Sequence, residues 1–440
     1  MPTDPVPTGP AEPEPLVRRV TVLGLWALVV NGTVGAGIFG LPARAAELTG
    51  IHSPLVLLLC GVLLLPVVLS FAEVASHFRG TGGPILYAHT AFGPMAGFQT
   101  GWAFYVARLS ASAANVNLLV DALGWFWTGA GEGAVRVALL LLVCTALTWV
   151  NVAGSAHAMR SVGVLTVLKF LPLLLLVAVG LPRLGPAAFP LADTPLPAAR
   201  DLGSAVLLLV YAYVGWESAL VPAGEARHPD RDMPRALLWG LGMVLMLYVL
   251  LQAVCVAVVP DLARSTRPLV DAGAALLGPA GAAVLTLGVI ASVGGNVASA
   301  TFSTPRITYA MAREGLLPSW FGTVHAVYRT PIASVLLYGG LTFGLAAVGS
   351  FAWLAEVSVL TRLLIYLMGV LAAPRLRGRA GVAPAALRLP GGAAIPLLGA
   401  LVCVGLGSQV SLRTALVTAV FLGVGSLLFV LARRERRRRG

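Results

Sequence analysis

The chain of 440 residues is 58% hydrophobic and only 11% charged, with a mean hydropathy of +0.88. Soluble globular proteins carry about 25% charged residues, so this composition excludes a soluble enzyme or binding module and indicates a membrane protein. The net charge of +12 could suggest nucleic acid. Basic residues also collect in the cytoplasmic loops of membrane proteins, however, so their positions must decide between the two interpretations.

Apolar runs divide the chain into segments that are long enough to cross a bilayer as helices and too unalternating for a β-barrel. They predict an all-α polytopic membrane protein with about twelve transmembrane helices, at 17–46, 52–77, 85–121, 134–152, 157–181, 201–226, 234–259, 279–313, 331–349, 352–373, 394–411 and 414–432. The proline-rich and acidic stretch 1–16 predicts a disordered cytoplasmic tail.

The basic residues are distributed unequally between the two sides of this layout. Nineteen of the 30 lie on one side, seven on the other, and four within or near the ends of spans. Six of the nineteen belong to the basic tail 433–440, where they can meet anionic lipid headgroups. No aromatic residues alternate with these arginines, so nucleic-acid binding is disfavoured. We therefore expect a multi-pass protein of the cell membrane with both termini in the cytoplasm.

The first and sixth spans contain residues that disfavour a continuous helix. Asn31–Phe39 contains three glycines, and the sixth span has Gly215 and Glu217 near its centre. An unwound segment exposes amide donors and carbonyl acceptors, which suit a ligand with both a carboxylate and an ammonium, that is, an amino acid. Alternatively, the glycines only let another helix approach closely.

Four segments carry more specific patterns. Gly35–Phe39 reads Gly-Ala-Gly-Ile-Phe, and the others are Phe71–Phe98, Gly224–Ala236 and Tyr309–Pro318. On these segments the chain resembles the amino acid, polyamine and organocation transporter family. The resemblance implies a LeuT-like fold of two inverted five-helix repeats, 17–181 and 201–373, followed by two helices in 394–432. It also implies transport of amino acids or amines by alternating access.

The same resemblance assigns a substrate site. It implies that the substrate carboxylate is held by the backbone of Thr33, Val34, Gly35, Ala36, Gly37 and Ile38. Carbonyls around Tyr211, Ala212, Tyr213 and Gly215 would take the ammonium. Trp216 is then a candidate lid, and Ser292 and Asn296 are weaker candidates for lining the site.

Lys169 is the only lysine in the chain and lies within an apolar run. Burial disfavours the charged form of an amine, which would let it exchange a proton during a transport cycle. Lys169 is similar to the lysine that, in proton-coupled members of the family, takes the place of a bound sodium ion. The alternative is that its side chain extends to the interface near Arg160.

Charged residues elsewhere in the spans leave more than one interpretation open. Arg108 could contact substrate, but pairing with an acidic neighbour is the favoured interpretation, because lipid contact is prohibitive. Glu217 could recognise a cation, act as a gate or form a structural hydrogen bond. Glu356 and Arg362 are six residues apart on roughly opposite helix faces, so each needs another partner.

Several functions are disfavoured because their motifs are missing. The histidines and cysteines form no metal-binding pattern and there is no Walker loop, so we expect no cofactor and no direct use of ATP. The prediction is a secondary transporter, with proton symport favoured over exchange. A sensor and a polytopic membrane enzyme are the remaining alternatives. The expected partners are an amino acid, protons and lipids, and the expected state is a monomer or a loose homodimer.

Overall fold

A computed structural model describes residues 20–123, 127–152, 158–185, 194–328, 330–381 and 383–439. The tail predicted at 1–16 lies outside these ranges. The described residues form fifteen α-helices: α1 Val22–Thr33, α2 Ala36–Gly40, α3 Pro42–Thr49, α4 Ser53–Ala75, α5 Pro84–Phe92, α6 Pro94–Leu123, α7 Gly133–Val152, α8 Ala158–Gly180, α9 Ala199–Leu209, α10 Pro229–Val258, α11 Pro268–Arg313, α12 Ile332–Val348, α13 Phe351–Leu376, α14 Ala394–Gly407 and α15 Leu412–Arg439.

Most of these helices are long and apolar enough to cross a bilayer. In the described part of the chain eight helical segments meet that description, and the apolar helices α12 and α14 are somewhat shorter. The 30-residue α6 and the 23-residue α8 are also long enough to cross a bilayer. With them, the described residues contain twelve candidate spans. The protein is therefore an all-α, multi-pass membrane protein, as its apolar runs predict.

Three differences from the predicted spans change the elements themselves. The span predicted at 85–121 is two helices, α5 and α6, because Gly93 between them has φ +96° and ends α5. Helix α11 bends at Gly278, where φ is +63°, so the span predicted at 279–313 is preceded by a short helical arm that begins at Pro268. Helix α15 continues to Arg439, so most of the basic tail is helical.

Two interrupted helices lie side by side in the centre of the molecule. One consists of α1 and α2, and the other of α9 with the short 3-10 helices Val210–Tyr213 and Trp216–Glu225. The backbone N–H of Val20, before α1, donates to the carbonyl of Glu225 at 3.0 Å, and the N–H of Arg227 donates to the Val20 carbonyl at 3.1 Å. The start of the first helix thus meets the end of the second, so the two run antiparallel.

Candidate substrate site

The first interruption lies where the glycines predict it. Helix α1 ends at Thr33, Val34 is extended with ψ 100°, and α2 begins at Ala36. The Val34 N–H still donates to the Val30 carbonyl at 2.9 Å, so the last turn of α1 is intact up to the break. The break frees the backbone groups that follow it, between the two helical pieces.

The second interruption depends on one glycine. After the 3-10 turn Val210–Tyr213, Val214 is extended and Gly215 has φ +114°, a left-handed conformation that side chains rarely adopt. A Cβ at Gly215 would also collide with the Gly32 carbonyl oxygen of α1. The two breaks therefore meet at glycine positions, at the same level of the molecule.

A small cavity of about 50 Å³ lies between the two breaks. Its lining comprises both unwound segments together with side chains of α6, α11 and α13: Gly32, Thr33, Gly35, Ala36, Gly37, Arg108, Ala111, Ser112, Asn115, Tyr211, Val214, Gly215, Asn296, Ala300 and Arg362. Side chains at the glycines would obstruct it. A Cβ at Gly37 would lie 2.5 Å from the Cα of Ala212, and one at Gly35 would collide with the Asn296 amide.

A vestibule of about 900 Å³ leads to this cavity. The vestibule and the cavity share Gly32, Arg108 and Asn296 in their linings. The vestibule extends to the exposed Glu314 at the end of α11, where the Ser319 N–H donates to the Glu435 carboxylate of α15 at 3.1 Å. The cavity is thus reached from the face on which α15 ends.

Glu217 and Arg362 form a buried ion pair beside the cavity. Arg362 Nε donates to Glu217 Oε1 at 2.8 Å, and the two side chains are 5% and 1% exposed. The second carboxylate oxygen accepts from the Gly215 N–H at 2.8 Å and from the Tyr366 hydroxyl at 2.9 Å. Glu217 therefore holds the unwound turn and does not line the cavity. The sequence indicates that Arg362 needs a partner but does not identify Glu217.

The predicted coupling residue is also buried. Lys169 is 3% exposed, and its Nζ donates to the backbone carbonyl and to the side-chain Oδ1 of Asn31, both at 2.8 Å. Its ammonium thus links α8 to the last turn of α1, two residues before the break. The alternative in which Lys169 extends to the interface is wrong, because the side chain is directed at Asn31 and lines the vestibule.

Arg108 lies between the vestibule and the cavity and lines both. Its Nε donates to the Thr304 hydroxyl at 3.0 Å, and its Nη2 donates to the Ser303 hydroxyl at 3.1 Å. Among the described residues no carboxylate is within ion-pair distance of the guanidinium. The favoured expectation of an acidic partner is therefore wrong, since α11 presents only hydroxyl groups there.

Several predicted site residues lie away from the cavity. Trp216 is fully buried, with its ring 5.1 Å from those of both Phe71 and Tyr366, and it lines neither the vestibule nor the cavity, where a lid would lie. The Tyr213 hydroxyl donates to the Leu57 carbonyl at 2.9 Å. The linings of both cavities also lack the side chains of Val34, Ile38 and Ala212, although Ala212 closely approaches Gly37. Ser292 lines the vestibule but not the cavity, and Asn296 lines both.

Polar residues of α6 complete the lining. Arg108, Ser112 and Asn115 are spaced four and three residues apart and therefore share one helix face. The Tyr211 hydroxyl donates to Asn115 Oδ1 at 3.1 Å, which joins α6 to the second interruption. The spacing is a signal that sequence reasoning could have used for Ser112. The described residues contain no cluster of three or more histidine, cysteine or acidic side chains that could hold a metal ion.

Comparison with known proteins agrees with this arrangement. The sequence model described as "amino acid permease" matches residues 20–432, which is nearly the whole chain. The chain belongs to this family. The permease is 30% identical to an uncharacterised transporter of Mycobacterium tuberculosis, over 96% of this chain and 94% of that protein.

Two relatives with more specific names come from Bacillus subtilis. One is a serine/threonine exchanger, 26% identical over 83% of this chain and 84% of that protein. The other is a branched-chain amino acid permease, 24% identical over 96% of this chain and 94% of that protein. The similarity covers the interrupted helices and the cavity in the permease, and it indicates an amino acid transporter.

Proposed function

We propose that this permease is a secondary active transporter that moves amino acids across the cell membrane by alternating access and couples this movement to protons. The observation that carries the proposal is the small cavity between two antiparallel interrupted helices. It offers backbone donors and acceptors at one depth, as recognition of a zwitterion requires. Family membership supports amino acids as the substrate class.

The substrate pose follows from the polarity of the two breaks. At the N-terminal turn of α2, Gly35–Gly37, the backbone N–H groups have no acceptor within the helix, and they would take the carboxylate. In the second interrupted helix, the C-terminal end of the piece before the break, at Tyr211–Val214, would present carbonyl oxygens to the ammonium. Asn296 of α11 closes the cavity beside Gly35.

Alternating access has a structural basis in the helix order. The interrupted helices are the first and the sixth of the twelve spans and run antiparallel, as two inverted five-helix repeats over 17–181 and 201–373 require. In this conformation the vestibule opens the cavity to the face on which α15 ends. Movement of one repeat against the other would close this vestibule and open a path to the opposite face.

Lys169 is the proposed coupling group. Its ammonium is buried, donates to the two oxygens of Asn31 and lies 5.6 Å from the centre of the Phe170 ring. No carboxylate of the described residues lies within ion-pair distance of it. A charge held in this way is costly at membrane depth, so gain and loss of a proton can bias the end of α1 between two arrangements. The other titratable side chains in the vestibule lining are His89, Arg108, Arg306 and Glu314.

Exchange of one amino acid for another is the second candidate function. The observation that favours it is the similarity to a serine/threonine exchanger along 83% of the chain. Exchange uses the same cavity but requires an amino acid on both sides of the membrane.

Uptake by the purified permease in liposomes tests the proposed function. A mixture of radiolabelled L-amino acids should accumulate inside vesicles that contain the permease and not inside protein-free vesicles. Amines that lack a carboxylate should not compete, because they cannot use the donors at Gly35–Gly37. Absence of uptake of every amino acid, or equal competition by simple amines, would contradict the proposal.

A further inference from the structure

The cavity carries more positive than negative charge. Of its lining residues, Arg108 and Arg362 are cationic and none is acidic. Arg362 is neutralised by Glu217, whose two oxygens are already bound by Arg362, Tyr366 and the Gly215 N–H. Among the described residues Arg108 has only the two hydroxyl groups of α11 as hydrogen-bond acceptors. One guanidinium at the cavity therefore lacks a compensating charge among the described residues.

The position of Arg108 relative to the breaks defines what it can contact. Arg108 lines the same cavity as Gly35 and Gly37, but it lies on α6 and also faces the vestibule. A zwitterion bound at the breaks would direct its side chain away from the backbone groups that hold it. Arg108, together with Ser112 and Asn115 on the same helix face, forms one wall available to that side chain.

We infer that this permease selects amino acids whose side chain carries a carboxylate, with Arg108 as the specificity-determining residue that binds it. The inference rests on the proposed function, because it takes the amino acid site as given. An arginine suits this role because its planar guanidinium can donate two parallel hydrogen bonds to one carboxylate. The substrate class is thus the acidic amino acids, aspartate and glutamate.

Closure of the vestibule explains why a substrate with a side-chain carboxylate is preferred. In this conformation Arg108 faces a vestibule of about 900 Å³, in which water can solvate the guanidinium. Closing the vestibule would remove that water and leave an uncompensated charge at membrane depth, which is unfavourable. A carboxylate on the substrate offsets the charge. A neutral amino acid leaves it unpaired, and a lysine or arginine substrate adds a second positive charge.

The experiment measures uptake of single amino acids into liposomes that hold the full-length permease. Glutamate and aspartate should be taken up at least about 10-fold better than glutamine and asparagine, because a hydrogen bond between two charged groups is stronger than one to a neutral amide. Lysine should not be transported. In Arg108→Gln the preference for the acid over its amide should disappear, and in Arg108→Lys, which keeps the charge, it should persist in weakened form.

Arg306→Gln is the matched control. Arg306 also lines the vestibule but not the cavity, and its Nη1 donates to Asn151 Oδ1 at 2.7 Å. This variant should keep the preference for acids. Gel filtration of each detergent-purified variant establishes that it is folded, and Arg108→Lys carries the test if Arg108→Gln aggregates.

The outcomes separate the inference from the proposed function. Uptake of glutamine or lysine in preference to glutamate overturns the inference and leaves the amino acid site in place. An unchanged preference in Arg108→Gln also overturns it, since another residue would then read the side chain. Uptake of no amino acid at all removes the proposed function together with the inference.

Discussion

Gly37 is the residue at which the two interrupted helices approach most tightly on the α2 side. A Cβ there would lie 2.5 Å from the Cα of Ala212, so any larger side chain must push the breaks apart or fill the cavity. Gly37→Leu should therefore abolish stabilisation of the permease by its substrate in a thermal-shift measurement. The matched control is Gly344→Leu, since Gly344 is exposed on α12 with no atom within 4 Å of an added Cβ. Equal substrate stabilisation in the Gly37 variant would move the site elsewhere.

Trp216 shows how residue type and residue placement can give different interpretations. An aromatic residue beside an unwound turn suggests a lid, but its ring packs between Phe71 and Tyr366, away from the cavity. Trp216→Ala should lower the free energy of unfolding by about 3–5 kcal/mol, as for a buried tryptophan, while the apparent affinity changes little. Thermal unfolding and substrate titration in detergent measure the two effects.

The control for this prediction is Trp239→Ala, because Trp239 is 75% exposed on α10 and should contribute little packing. A large loss of affinity in Trp216→Ala with unchanged thermal stability would restore the interpretation of Trp216 as a lid.

At the scale of elements, the Glu217–Arg362 pair joins α13 to the unwound turn of the second interrupted helix. Removing one partner leaves a buried charge without compensation, so Glu217→Gln and Arg362→Gln should each cost about 3–5 kcal/mol of stability. The double variant should cost less than the sum of the two, because neither charge then remains unpaired. Thermal unfolding of the four proteins completes the cycle.

The control pair is Arg79 and Asp230, whose side chains are 66% and 19% exposed and 3.1 Å apart. Asp230→Asn should cost less than about 1 kcal/mol, as exposed ion pairs do. Strictly additive losses in the Glu217 and Arg362 variants would show that the two side chains do not act as a pair.

The sequence predicts the interruptions better than it predicts the helix ends. Clustered glycines mark the first break, and a glycine with a central carboxylate marks the second. Both signals are local, because the free-energy cost of these residues within a membrane helix depends little on the rest of the fold. Sequence reasoning could also have placed the break at Gly93 and the bend at Gly278, because each glycine precedes a proline and the Gly-Pro dipeptide marks a turn.

Partners across the fold were harder to predict. Lys169 and Asn31 are 138 residues apart in the chain, and Glu217 and Arg362 are 145 apart. Sequence spacing along one helix cannot identify such pairs, because they depend on how the helices pack. Arg108 was assigned to the correct region but to the wrong kind of partner for the same reason.

For the whole molecule, the central claim is that a proton at Lys169 biases the movement that opens and closes the cavity. The contact with Asn31 ties α8 to the end of α1, so a change at the ammonium acts next to the first break. Lys169→Met removes the proton site and should make uptake insensitive to pH. Arg306→Gln, which removes a different vestibule cation, should leave the pH dependence unchanged.

The most direct measurement is amino acid uptake into liposomes under imposed ion gradients, with no amino acid inside the vesicles. We expect proton coupling: an inward proton gradient should increase uptake, a sodium gradient should have no effect, and Lys169→Met should lose the response to protons. Sodium-driven, pH-independent uptake by the unaltered permease would contradict it, as would uptake that occurs only when the vesicles are preloaded with an amino acid for exchange.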